Sequence, residues 1–140
     1  MASKDHLTHL ANLPLLSACS QRELQKVARV TDEVEVEANA TLMEQGQLAR
    51  EAFVIVSGTA EVRRDGTKVA VVGAGECVGE LALLDHQPRS ASVVALEPMT
   101  LLVIPSTAFT ALLDDAPGLS RKLLGSLAKR IRDLDSRLTD

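Results

Sequence analysis

The chain has 140 residues, 46% of them hydrophobic and 24% charged, which suits one domain able to bury a core without metals or disulfides. A formal net charge of -4 excludes direct nucleic-acid binding, since phosphate neutralisation needs a concentrated Lys and Arg face. With no Trp, no Tyr and only Phe53 and Phe109, any pocket has aliphatic walls.

The N-terminus "MASKDHLTHLANLPLL" has no continuous apolar core of signal-peptide length, and nowhere do about 18 apolar residues run together. Membrane insertion by this segment is not expected. Cys19 and Cys77 are too few and too far apart for a disulfide framework or a zinc site, so they read as small core residues in a reducing, cytoplasmic setting.

Residues 1–140 read as one domain in three zones. The first, 1–30, is helical. "SQRELQKVARV" opens on Ser20 with Glu23 three residues later, a capping-box pattern that satisfies the first orphan amides of a helix. Leu24, Val27 and Ala28 then share one face.

The second zone, 31–105, is strand-rich. "DEVEVEA" alternates charged and apolar residues, and "AFVIVSGTAEVRRDGTKVAVVGAGECVGE" strings β-branched runs between turn signals. The Asp65-Gly66 pair between "AEVRR" and "TKVAVV" predicts a type I′ hairpin, because that turn needs positive φ at both central positions. Turns at this spacing predict an antiparallel sandwich or barrel, and the last strand, "MTLLVI", stops at Pro105.

The third zone, 106–140, is helical again, with Ser106 as the expected N-cap of "TAFTALLDDA" and a break at Pro117 and Gly118. In the final helix Leu124, Leu127, Ile131, Leu134 and Leu138 recur at alternating intervals of three and four, a heptad seam. Such a seam lies either on the body of its own domain or against a second copy, and a homodimer is the expectation here.

Chemistry concentrates in "CVGELALLDHQPRSASV", Cys77 to Val93. Gly79 precedes Glu80, and "ELALLD" forms a short helix that His86, Gln87 and Pro88 end. Its amino end presents backbone N–H groups suited to an anion. Arg89 is the single cation between Lys68 and Arg121 in the sequence, and its planar fork matches two phosphate oxygens. Ser90 adds a hydroxyl and an amide. Glu80 beside an anion site makes sense if the ligand carries a hydroxyl near its phosphate, as a sugar phosphate does. Otherwise Glu80 and Arg89 are a surface ion pair worth about 0–1 kcal/mol.

"GELALLDHQPRSASV" resembles the phosphate-binding cassette of cyclic nucleotide-binding domains, the family of catabolite activator proteins and of kinase regulatory subunits. The resemblance extends through "FVIVSGTAEV", the Gly75 turn and the helix pair after the last strand. It implies a mainly β fold with flanking helices: an antiparallel, jelly-roll-like β-roll with N-terminal helices and two C-terminal helices, the cassette occupying 79–92. It implies that Gly79 and Glu80 bind the ribose, and that Leu81, Ala82, Arg89 and Ser90 bind the cyclic phosphate. Val62, Val69 and Ala70 fall at the pocket wall, and Arg130, Leu134 and Asp135 where the terminal helix of activators reaches the base. Leu134 and Asp135 stand where those activators carry hydroxyl residues, and Cys77 where many members have an aromatic. Ser90 favours cAMP over cGMP as the ligand. The helix-turn-helix of the activators does not follow within these residues, so the output is expected to pass to an effector domain or a partner protein.

An enzyme is not expected. A metal oxygenase on a similar roll needs several converging His residues, whereas His6, His9 and His86 are scattered. No Ser or Cys stands with a His and an acid in a nucleophilic arrangement. Neither a metal nor another cofactor is implied, and a haem or iron-sulfur sensor lacks ligands. The remaining alternative is a degenerate roll that dimerises or docks without nucleotide. Retention of Gly79, Glu80, Arg89 and Ser90 together argues against it, because charges near a pocket are costly to keep.

Overall fold

The computed structural model describes residues 10–139, with side chains through Leu134. His6 and His9, and the side chains of Asp135 and Leu138, lie outside the described residues. A 3-10 turn at Pro14–Leu16 precedes helix α1 (Gln21–Val30). Eight strands follow: β1 (Asp32–Val36), β2 (Thr41–Met43), β3 (Glu51–Ser57), β4 (Ala60–Arg64), β5 (Thr67–Val72), β6 (Cys77–Val78), β7 (Ser92–Ala95) and β8 (Met99–Pro105). The short helix α2 (Glu80–Asp85) interrupts them between β6 and β7, and α3 (Ser106–Asp115) and α4 (Pro117–Thr139) close the chain.

The strands form two four-stranded sheets, ordered β1-β8-β3-β6 and β2-β7-β4-β5, and every pairing is antiparallel. The chain passes repeatedly from one sheet to the other, which is the roll expected from the sequence. Between the sheets Phe53, Ile55, Met99 and Leu101 meet Ala60, Val72, Val93 and Ala95. A second core covers the other face of the first sheet, where Ala52, Val54, Leu102 and Ile104 pack on Leu24 and Val27 of α1, Phe109 and Leu112 of α3, and Leu119 and Leu123 of α4. Strands β3 and β8 are therefore buried on both faces, which is why "AFVIV" and "LLVI" read as continuous apolar runs and not as alternation. By contrast β1 alternates, because it edges its sheet and exposes Glu33 and Glu35.

The Asp65-Gly66 turn has φ of 54 and 79, positive at both central positions as predicted. The expected Ser106 cap needs correction. Pro105 occupies the N-cap with no side-chain hydrogen bond, and Ser106 is the first helical residue. Its amide, one of the orphan donors of the first turn, donates to the Arg50 carbonyl at 2.8 Å, just before β3.

The capping box of α1 forms in full, with Ser20 Oγ accepting from the Glu23 amide at 3.1 Å and Glu23 Oε1 from the Ser20 amide at 3.2 Å. Glu23 also works beyond its own helix: Oε2 accepts from the Gly118 amide at 3.0 Å, so one carboxylate caps both α1 and α4. Gly118 is required there, because a Cβ would collide with the Ala18 carbonyl. The Gly118 amide, then the Ser20 amide, holds the Glu23 carboxyl below its usual range. A lowered folded-state value means that this stability is present above the ordinary Glu range of about 4.3 and is lost as pH falls through the folded value. Replacing Glu23 with Gln should therefore leave a flatter acid limb in urea midpoints measured against pH. Superimposable acid limbs for the two proteins would refute the double cap.

Candidate functional site

Helix α2 begins at Gly79, whose φ of 84 is left-handed and whose N-cap position carries no side-chain cap. A Cβ there would lie 2.5 Å from Arg89 Nη1 and 3.3 Å from Met43 Sδ, so glycine is demanded by both backbone and space. The space it leaves is filled by the Arg89 guanidinium. Nη1 donates to the Gly79 carbonyl at 3.0 Å and Nη2 to the Glu51 carbonyl at 2.7 Å, with the Glu51 carboxylate 3.5 Å away. Arg89 is 4% exposed. Burial lowers its pKa, against the opposing charges of Glu51 and Glu80.

Glu80, the first residue of α2, is 1% exposed. It is not paired with Arg89 in a surface bridge, as the simplest reading of the sequence would have it. Its Oε1 accepts instead from Nη1 of Arg130 at 2.6 Å, and Arg130 Nη2 donates to the Cys77 carbonyl at 2.8 Å. Helix α4 thus returns across the roll to bridge β6 and α2 with one planar fork. Burial, then the Glu80 charge, pushes the Cys77 thiol far up, with Arg130 opposing, so this cysteine stays a neutral core group.

The remaining sequence-predicted residues divide. Ala82 is on the buried face of α2 while Leu81 is half exposed at 47%. Ser90 is exposed, and its carbonyl accepts from Arg64 Nε at 3.2 Å. Val62 packs against the inter-sheet core and stands opposite Ala70, where the register then slips by a bulge, and Val69 beside it is exposed. Leu134 is exposed on α4. Of the seam, Leu127 packs on the helical core whereas Leu124, Ile131 and Leu134 face outward. A cleft of about 410 Å³ opens on the β2–β3 side of Arg89, with Met43, Gln47, Leu48 and Glu51 among its walls.

Sequence reasoning missed Glu51, which holds Arg89 through its carbonyl, as well as Gln45 and Arg64, which act on the cassette from the β2–β3 loop and from the end of β4. A backbone carbonyl carries no sequence signal, and the other two are polar residues in a turn and at a strand end. Among the described residues no group of three or more His, Cys, Asp or Glu side chains is set to hold a metal, and no helix is long and apolar enough to cross a membrane.

The chemistry offered is therefore a buried cation and a buried carboxylate, separated by Gly79 and bound to different partners. Gly79→Ala tests that arrangement directly. The strained φ and the contact with Arg89 should together lower stability by about 1–3 kcal/mol in urea unfolding. A wild-type midpoint in that variant would show that Arg89 does not need the space.

Comparison with known proteins agrees with this architecture. The family model described as "Cyclic nucleotide-binding domain" matches residues 33–116. The Pycsar effector protein XpPycTIR of Xanthomonas perforans is 32% identical over 125 residues, 89% of this chain and 41% of that protein. The cAMP-dependent protein kinase regulatory subunit of Schizosaccharomyces pombe is 32% identical over 113 residues, 80% of this chain and 27% of that protein. This chain thus spans less than half the length of either relative. The crystal structure of the Thermus thermophilus catabolite activator protein superposes with a TM-score of 0.79 at 29% identity, covering 90% of this chain and 62% of that one. The cassette, the roll and the family match agree, and this chain belongs to the cyclic nucleotide-binding domain family.

Proposed function

We propose that this chain is a regulatory module that binds a cyclic nucleotide, cAMP in preference to cGMP, and passes the signal through α4. The observation that carries the reading is the burial of Glu80 and Arg89 on either side of Gly79 without a bond between them. Burying two charges costs several kcal/mol each unless strong partners are supplied, so a fold that keeps both has a use for them separately. A cyclic nucleotide has a phosphate for Arg89 and a ribose 2′-hydroxyl for Glu80. The Ser90 hydroxyl and amide and the Leu81 and Ala82 amides complete the phosphate contacts, and Val62, Val69 and Ala70 wall the sugar and base.

Ser90 supports the preference for cAMP, as do relatives named as cAMP-dependent kinase regulatory subunits. The route of the signal follows from Arg130. Its guanidinium holds the carboxylate that the ribose needs, so ligand entry must share or rearrange that bond, and the rearrangement is felt directly by α4. Ligand shifts the position of α4 only by as much as it binds one position better than the other. The break before Pro117 is the pivot, and Leu134 with Asp135 reaches the base when α4 closes. An attached effector domain or a separate partner then reads the helix.

The outward seam of Leu124, Ile131 and Leu134 supports a homodimer through α4, which would cover three exposed aliphatic side chains at once.

Two measurements decide these points. Calorimetric titration with cAMP and cGMP should show binding by the wild type and a loss of about 30-fold to 1000-fold in Arg89→Ala, the range for removing a charge-assisted bidentate contact. If the wild type binds neither nucleotide at millimolar concentration, the roll is a docking module. Sedimentation should give a dimer for the wild type and a monomer for Ile131→Asp, and equal masses for the two would remove the seam.

A further inference from the structure

The far end of the cassette is held by the loop that precedes β3. The loop at residues 44–47, between β2 and β3, turns at Gly46 with φ of 87. The Gly46 amide donates to the Arg89 carbonyl at 2.8 Å, and the Gln47 carbonyl accepts from the Arg89 amide at 2.9 Å. The Gln45 amide donates to Ser92 Oγ at 2.9 Å. This loop therefore fixes the backbone of the cassette arginine on both its donor and its acceptor side.

The Gln45 side chain reaches the other way, to the tip of the β4–β5 hairpin. Its Nε2 donates to Asp65 Oδ1 at 2.9 Å while its Oε1 accepts from the Asp65 amide at 2.8 Å. Beside it, Arg64 donates to the Ser90 carbonyl. Loop, hairpin tip and cassette end close a ring of hydrogen bonds in which Gln45 touches two of the three segments. A carboxamide is the group that can serve both Asp65 atoms, since one end donates and the other accepts. The Asp65 amide lies outside the strand ladder because the last pair of the hairpin is Arg64 with Thr67 and Asp65 is the first of the two turn residues.

We propose that Gln45 is a positioning residue for cyclic-nucleotide binding: it locks the hairpin tip onto the loop that carries the Arg89 backbone, and so sets where Arg89 and Ser90 stand before ligand arrives. The inference rests on the reading of those two residues as phosphate ligands. It goes beyond that reading because Gln45 works from outside the pocket and makes the β4–β5 hairpin part of the phosphate site's geometry.

A double-mutant cycle tests it. Gln45→Glu replaces the donor with a carboxylate facing Asp65, and should weaken cAMP binding about tenfold in calorimetric titration. Asp65→Asn keeps an acceptor and suits the Asn-Gly turn, so it should stay within about twofold of wild type. Combining the two places an amide donor opposite the new carboxylate, and should return affinity to within about threefold of wild type. A Gln45→Glu chain that titrates like wild type, or a double variant as weak as Gln45→Glu, overturns the proposal. A wild type that binds neither cAMP nor cGMP overturns the functional reading instead. Amide hydrogen exchange in the ligand-free proteins then decides on the lock alone. Exchange at Arg89 and Gly46 that quickens in Gln45→Glu and recovers in the double variant supports it, and unchanged exchange overturns it.

Discussion

The site depends on the bridge between Glu80 and Arg130. A carboxylate as deeply buried as Glu80 must have a cationic partner, and leaving such a charge alone in a protein interior costs about 3–5 kcal/mol. The partner lies fifty residues away along the chain, on the last helix. Holding it there requires that α4 start in the right place, run straight for several turns and return over the mouth of the roll. The Glu23 cap and the close approach of Gly118 to the Ala18 carbonyl fix the start. Leu119 and Leu123 fix the direction by packing on the outer face of the first sheet. The packing of the helical core and the electrostatics of the site are therefore one problem with one solution.

Arg89 is solved differently. Its hydrogen bonds go to carbonyl oxygens, which carry partial charge, and the Glu51 carboxylate stands beside it at 3.5 Å. A full ion pair with Glu80 would have satisfied both residues and left nothing to attract an anion. Gly79 keeps them apart, since its left-handed backbone starts α2 with the Glu80 side chain under α4 while its carbonyl takes Arg89. The two sheets contribute the frame: β3 brings Glu51 and β6 brings Cys77 to the same edge, because β6 pairs with β3 at Phe53 and Val54.

What the sequence made legible was local. The capping box, the Asp-Gly turn and the glycine before α2 each depend on residues a few positions apart, and each formed where expected. Turn spacing made an antiparallel sandwich or barrel legible, and the resemblance carried by the cassette narrowed it to the roll. Strand register was not legible, and register is what puts Glu51 under Arg89 and Asp65 beside Gln45. Backbone donors and acceptors are common to every residue type, so the loop that holds Arg89 by its own amide and carbonyl leaves no trace in composition. The heptad seam shows the same limit in a helix. Spacing groups Leu124, Leu127 and Ile131 on one stripe, yet Leu127 turns onto the core while its neighbours face outward, because a stripe does not say where the body of the domain ends.

The three supports of the cassette differ in how they can yield. The grip of α4 on Glu80 is one charge-assisted hydrogen bond from Arg130, a side chain that is itself partly exposed and whose second nitrogen holds the Cys77 carbonyl. The carbonyl cradle around Arg89 is buried and built from backbone, which cannot rotate away as a side chain can. The loop and hairpin tip lie in solvent, where each hydrogen bond is worth about 1 kcal/mol but several acting together define a position. A site assembled this way holds its cation rigidly and its carboxylate through a movable partner. On the proposed function, motion on binding passes to α4, whose bond to Glu80 is made by a long and partly exposed side chain.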